Sequence, residues 1–296
     1  MIDKIKALAK KRNAIILAHN YQPPEIQDIA DLCGDSLELS IKASRTSAEI
    51  IVFCGVHFMA ETAFILSPDK TVLLPAPDAG CPMADMIDPA ALQKKKKILG
   101  NIPVVTYVNS SAAVKAVSDI CCTSANVIKV VESIESNEIL MTPDKNLARF
   151  AASRTSKKIH FWEGFCPFHN TLTAKDVIKA KQDHPGALFI AHPECPPEVL
   201  ALADKIESTS GMIRFAGESS HTSFILGTEN GLLYPISKAY PDKKFYPASE
   251  KMVCKDMKKI TLEKLLESLE TLSGRITVPE DIRKKAWGAV QRMIEL

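Results

Sequence analysis

The chain has 296 residues, 46% apolar and 24% charged, an ordinary globular make-up that excludes a disordered tail, a collagen-like rod and a disulfide miniprotein. Its 37 Lys plus Arg against 35 Asp plus Glu leave a net charge of +2, too balanced for the basic footprint of a nucleic-acid binder. No apolar run approaches the roughly 20 residues of a membrane span, and the opening MIDKIKALAKKRN lacks the apolar centre of a secretion signal, so a cytoplasmic protein is expected, with about two domains from length alone.

In chain order, a helix is expected over 2–11, with Ile2, Ile5 and Leu8 on one face. The apolar runs AIILAH (14–19), EIIVFC (49–54) and TVLL (71–74) read as strands, with helical EIQDIADL and SLELSIKAS between the first two. The pattern returns with PVVTYV (103–108), EILMT (138–142) and KIHFW (158–162). It returns again with ALFIAH (187–192), SFILG (223–227) and KKFY (243–246). Lys94–Lys97 are expected on a solvated helix face. A final helix over 280–294 starts at Pro279-Glu280, with proline at the first turn and an acid near the positive end. Strands alternating with helices predict βαβ units and parallel sheets. The near-continuous apolar strands suit sheets covered on both faces.

The chain repeats itself three times. The opening strands end at His19, Tyr107 and His192, 88 and 85 residues apart. Twelve residues beyond each stands an aspartate (Asp31, Asp119, Asp204), and seventeen beyond each a hydroxyl (Ser36, Ser124, Thr209). A strand-to-helix turn then falls at Gly55-Val56, Pro143-Asp144 and Thr228-Glu229. A cysteine follows at +62, +59 and +62: Cys81, Cys166 and Cys254. Four coincident features in three copies are the signature of an internal repeat. The fold predicted is α/β: three homologous αβα sandwich domains with parallel sheets, related by a pseudo-threefold axis, with the active site at the centre. The repeats span 13–100, 101–185 and 186–272, and 1–12 and 273–296 are flanking helices.

Ligands of open parallel units bind outside the carboxyl ends of the strands, where the repeated groups fall. Eight cysteines without CxxC or zinc-finger spacing predict neither a disulfide framework nor a local metal motif. Cys81, Cys166 and Cys254, one per unit, suit the trigonal face of a metal centre. Zinc would ordinarily want a fourth Cys or His. An iron–sulfur cube normally takes four thiolates and, with three, keeps one iron open as a Lewis acid. Cys33, Cys54, Cys121, Cys122 and Cys195 read as small buried hydrophobes. The three hydroxyls read as helix N-caps whose helix ends together would hold an anion. His19-Asn20-Tyr21, Tyr107-Val108-Asn109 and His192-Pro193-Glu194 add donors, acceptors and proton-transfer groups. Glu194, the one carboxylate among them, is the natural acid–base residue. His169, in CPFH, is equally open to a structural role.

HNYQPPEIQDIADLCGDS, YVNSSAAVKAVSD with TSAN, HPEC, STSGM, GTE and MKKITLEKL, in order over nearly the whole chain, resemble the quinolinate synthase family. The resemblance implies three αβα domains about a pseudo-threefold axis and one [4Fe–4S] cluster per chain, held by three cysteines with one iron open. It also implies condensation of iminosuccinate with dihydroxyacetone phosphate to quinolinate, with loss of phosphate and water, in NAD biosynthesis. It places the cluster on Cys81, Cys166 and Cys254. It places substrate contacts on His19, Ser36, Tyr107, Asn109, Ser124, His192, Glu194 and Thr209. Proton work falls on Glu194, Tyr21, His19 and His192. Its implied partners are these anionic small molecules and functional coupling to an aspartate-oxidising enzyme, with no nucleic acid and no membrane. One departure is that Cys254, flanked by Val253 and Lys255, lacks the CxxCxxC run of some members. Two other readings fit three cysteines. A reductase of the isoprenoid pathway would depend on an external reductant. An iron–sulfur sensor would have no use for the set Tyr21, His192 and Glu194.

Overall fold

The computed structural model describes all 296 residues. Its twelve strands are short and form three four-stranded parallel sheets, with the two central strands of each sheet buried. The first holds β1 (Ala14–His19), β2 (Leu32–Gly34), β3 (Ile50–Cys54) and β4 (Thr71–Leu73). The second holds β5 (Val104–Tyr107), β6 (Ile120–Cys122), β7 (Glu138–Thr142) and β8 (Lys158–Phe161). The third holds β9 (Leu188–Ala191), β10 (Lys205–Ile206), β11 (Ser223–Gly227) and β12 (Lys244–Pro247). Each sheet runs second-first-third-fourth in space, and helices cover the faces.

The repeat read from the sequence is a repeat of register. Ala14 of β1 lies opposite Ile50, Val104 of β5 opposite Leu140, and Leu188 of β9 opposite Phe224, an offset of 36 in every unit. First and second strands are offset by 15 in every unit, as in Leu17–Leu32, Val105–Ile120 and Ile190–Lys205. The third-to-fourth offset is 21, 20 and 21 (Ile50–Thr71, Glu138–Lys158, Ser223–Lys244). One residue of the shorter cysteine spacing in the second unit is therefore lost before β8.

The repeated aspartates are strand clasps. Asp31, Asp119 and Asp204 each accept a backbone N–H from the first strand of their unit: Ile16 at 2.8 Å, Val104 at 2.7 Å and Phe189 at 2.7 Å. Each also returns its own N–H to the carbonyl of the same residue. They complete the ladder where the second strand is only two or three residues long. Those edge strands were not anticipated, because so few residues display no periodicity.

The flanking elements differ from expectation in detail. In helix Ile2–Lys11 the covered stripe is Ile5 and Ala9, while Ile2 is 42% exposed. The helix packs on Leu262–Thr271 and β1. Pro279 is the N-cap of Glu280–Glu295, not a residue of its first turn. That helix lies against β6 and against helices Ala112–Lys115 and His57–Leu66, joining the first two units. On helix Pro89–Ile98, Lys94 and Lys97 are solvated as expected. Lys95 and Lys96 are half-buried and bond the Phe161 carbonyl and Asp119.

In this strand order the chain reverses direction between the first and third strands, the switch point where α/β sheets bind ligands. The groups at +0, +17 and +37 follow the first, second and third strands. Each unit therefore brings all of them to one end of its sheet.

Candidate active site

Eight residues expected to contact substrate line one cavity: His19, Ser36, Tyr107, Asn109, Ser124, His192, Glu194 and Thr209. The hydroxyls reach it from places other than the caps. Ser36 and Thr209 are the first residues of helices Ser36–Arg45 and Thr209–Glu218, and the caps are Asp35 and Ser208. Ser124 stands two residues before Asn126, the cap of Val127–Glu132. The correction has a physical reason. The residue one earlier carries the extended backbone a cap requires, which leaves Ser36 and Thr209 at the open end of the helix, beside its free N–H groups.

The units are stitched together around this cavity. Asn20 Nδ2 donates to Thr209 Oγ1 at 3.1 Å, and Ser208 Oγ donates to Asp35 Oδ2 at 3.2 Å. His192 Nε2 lies 3.2 Å from Ser124 Oγ.

A continuous chain joins Tyr21 and Glu194, two of the four residues expected to move protons. Tyr21 OH lies 2.5 Å from Thr228 Oγ1, and that oxygen 3.0 Å from His169 Nε2. His169 Nδ1 lies 2.7 Å from Glu194 Oε2. Assigning the His169 proton to Nδ1, facing the carboxylate, gives the chain one direction: Tyr21 to Thr228, Thr228 to His169, His169 to Glu194. His192 stacks on His169 with ring centres 4.6 Å apart.

Burial sets the charge states. It works against the Glu194 charge, but His169, His192 and Tyr107 beside it outweigh that, and its pKa is lowered. Burial, then the Glu194 charge, push Tyr21 and Tyr107 well above the usual phenol range. Burial pushes His19 and His192 down to about 3, so both are neutral imidazoles at neutral pH. No lysine or arginine lines the cavity. Two buried acceptors in it, Glu194 Oε1 and Asn109 Oδ1, have no partner, and such groups cost about 1–3 kcal/mol each while unpaired.

The cysteines line an adjoining cavity. Cys81, Cys166 and Cys254 meet there with Tyr21, Asn109 and Glu194, which belong to both cavities. Cys166 is the N-cap of helix Pro167–Asn170, and Cys81 and Cys254 stand just before the short turns Ala84–Met86 and Asp256–Lys258, so that the backbone N–H groups of Ala84, His169 and Met257 favour a thiolate at each sulfur. Burial nonetheless pushes Cys81 up to about 12 and Cys254 to about 11, and Cys166 well above the ordinary value. A bound cation would make thiolates of such groups. Three convergent thiols, each with an N–H in place for its sulfur, fit an iron–sulfur centre. The other cysteines do not approach it. Cys54, Cys121 and Cys122 are buried in strands and Cys195 Sγ donates to the Gly227 carbonyl at 3.3 Å, but Cys33, expected buried, is only half-buried on the edge strand β2, with its Sγ donating to the Gln27 carbonyl at 3.3 Å.

The sequence shows Thr228 only as part of a turn and leaves the role of His169 open. Both bond across units, 207 residues apart for Thr228 and Tyr21, and no local spacing reports such a contact.

No helix is long and apolar enough to cross a membrane. The quinolinate synthetase A protein family matches residues 3–295. Among similar proteins, the quinolinate synthase of Geotalea uraniireducens is 55% identical over 293 residues, 99% of this chain and 96% of that protein. That of Methanosarcina barkeri is 56% identical over 294 residues (99% and 97%), and that of Dehalococcoides mccartyi 56% over 293 (99% and 97%). With this match spanning both cavities and all three sheets, the chain belongs to the quinolinate synthase family, enzymes of NAD biosynthesis.

Proposed function

We propose that the two joined cavities condense iminosuccinate with dihydroxyacetone phosphate, releasing phosphate and water to give quinolinate, beside a [4Fe–4S] cluster on Cys81, Cys166 and Cys254. The observation that carries this reading is the sharing of Tyr21, Asn109 and Glu194 between the cysteine cavity and the hydroxyl-lined cavity. When bound, a cluster with three thiolate ligands supplies a Lewis acid for a substrate oxygen or nitrogen.

The protein does the rest. Ser36, Ser124 and Thr209, with the helix ends behind the first and third, bind the anionic groups of the substrates. His19 and His192, both neutral, orient them by hydrogen bonds. Glu194, held as a carboxylate, takes protons in the dehydrations. Tyr21, held as a phenol, gives them. With its hydrogen bonds reversed, Glu194 to His169 Nδ1, His169 Nε2 to Thr228 and Thr228 to Tyr21, the same chain then returns the proton from Glu194 to Tyr21. The iminosuccinate comes from coupling to an aspartate-oxidising enzyme.

Anaerobic incubation of reconstituted protein with both substrates is expected to yield quinolinate without an external reductant. Single Cys81→Ser, Cys166→Ser and Cys254→Ser variants are expected to lose iron and turnover, while Cys33→Ser and Cys122→Ser keep their iron. A wild type that takes up no iron, or a Cys33→Ser variant that bleaches, would overturn the ligand assignment. Turnover strictly dependent on a reductant would favour a reductase.

A further inference from the structure

Two buried carboxylates have only half of their bonds explained by the fold. Asp144 and Glu229 occupy the same place in the second and third units, directly after β7 and β11, and are 2% and 1% exposed. One oxygen of each caps the following turn. Asp144 Oδ1 accepts Leu147 N–H at 2.7 Å, and Glu229 Oε2 accepts Gly231 N–H at 2.7 Å. The second oxygen of each reaches a cysteine loop: Asp144 Oδ2 accepts Cys166 N–H and Glu229 Oε1 accepts Cys254 N–H, both at 3.0 Å.

The turn itself does not require an acid, because Val56 serves at this place in the first unit. There the loop of Cys81 is held from outside, with Gly80 N–H donating at 3.1 Å to Asp256, in the turn after Cys254. Each cysteine loop is therefore tied by one carboxylate, drawn from a different setting in the first unit than in the other two. Burying a carboxylate is costly, so the shared place of Asp144 and Glu229 asks for a purpose beyond capping.

The same two turns also hold the residues that move protons. Asn146, two residues after Asp144, donates through Nδ2 to the Glu194 carbonyl at 3.1 Å. Glu229 pairs with Lys258 at 3.0 Å, and Lys258 also donates to the Tyr21 carbonyl.

We propose that Asp144 and Glu229 are positioning residues, which register the Cys166 and Cys254 loops against the Glu194 and Tyr21 backbones so that cluster and proton groups keep a fixed spacing. This rests on the three-cysteine reading of the metal centre. Outer partners of this kind orient the ligands of metal sites.

The test compares wild type with Asp144→Asn and Glu229→Gln, which keep size and lose one acceptor. In cluster-free protein, amide exchange at Cys166 in the first variant, and at Cys254 in the second, is expected to quicken about 10- to 100-fold, as for a lost hydrogen bond to a charged group. In reconstituted protein, a chelator is expected to strip iron faster from both variants, and the electron paramagnetic resonance spectrum of the reduced cluster is expected to change. The midpoint potential is expected to rise in Glu229→Gln, where Lys258 loses its counter-charge. Asp204→Asn is the control: it removes a strand clasp, and should lower the melting temperature while leaving the spectrum and potential alone.

Wild-type exchange, iron retention and spectra in both variants would overturn the proposal while the cluster stands. A wild type without iron would overturn the cluster reading, and this one with it. Should one variant fail to fold, the other decides alone.

Discussion

Glu194→Gln is the most informative single change. The residue is 3% exposed. Its Oε2 faces His169 Nδ1 at 2.7 Å and His192 Nδ1 at 3.4 Å, and its Oε1 has no partner. In the variant, the glutamine oxygen can still accept from His169, so the chain to Tyr21 keeps its direction and the fold keeps its packing. What disappears is a group that can take a proton at the Oε1 position, where an amide now presents hydrogens. A positioned acid or base is worth about 10²–10⁴ in rate, or about 2.7–5.4 kcal/mol on the barrier at 1.36 kcal/mol per tenfold. Turnover should fall by that much under anaerobic conditions. Iron content should hold, because the adjacent Cys195 points its sulfur at the Gly227 carbonyl rather than at the cysteine cavity. Substrate affinity, measured by calorimetry, should change far less than turnover. Near-wild-type turnover with iron and affinity intact would remove Glu194 from the chemistry and leave the proton work to Tyr21. A loss confined to affinity would make it a binding residue.

Ser36→Ala, Ser124→Ala and Thr209→Val should each weaken substrate binding about 10- to 100-fold, as for one hydrogen bond to a charged group, with the cluster spectrum unchanged; unchanged affinity in all three would leave the hydroxyls without a binding role. Burial holds His19 and His192 at about 3 in the fold against about 6.5 in an unfolded chain, so below pH 6.5 the unfolded chain binds more protons and stability falls with pH. Melting of cluster-free protein should therefore weaken by up to about 2 kcal/mol per histidine between pH 6.5 and 5. His19→Asn, whose Oδ1 can replace Nδ1 as the acceptor of Tyr21 N–H, should show a shallower dependence, and an equal slope in both proteins would refute the assignment.

The sequence was most legible where the units are alike. Strand order and register follow from spacing, because an offset of 36 between first and third strands is carried by the chain itself. The +17 hydroxyls and the cysteines could be found by the same arithmetic, and they arrive in joined cavities. What spacing does not carry is how the three units face each other. Tyr21 and Thr228, Asn20 and Thr209, and Glu194 and His169 all meet across units. Their partnership depends on packing that no window of the sequence contains.

The less legible positions share a cause. A repeat is detected by sameness, but the proposed joining of two unlike substrates asks for an asymmetric site. At the strand ends the three copies offer His19, Tyr107 and His192. At the following turn they offer Val56, Asp144 and Glu229. Matching the copies keeps the strand ends as candidates for their polar groups, but it marks the turn only as equivalent and discounts it, because its residue types disagree. Burial reverses the weighting. Asp144 and Glu229 are almost wholly enclosed, and each divides its two oxygens between its own turn and a cysteine loop. Val56 lines the cysteine cavity without a polar atom to give. The backbone repeat thus sets three equivalent places around one centre, and the differences among the residues at those places give the centre its direction: acid toward Glu194, phenol toward Tyr21, and thiols from all three sides.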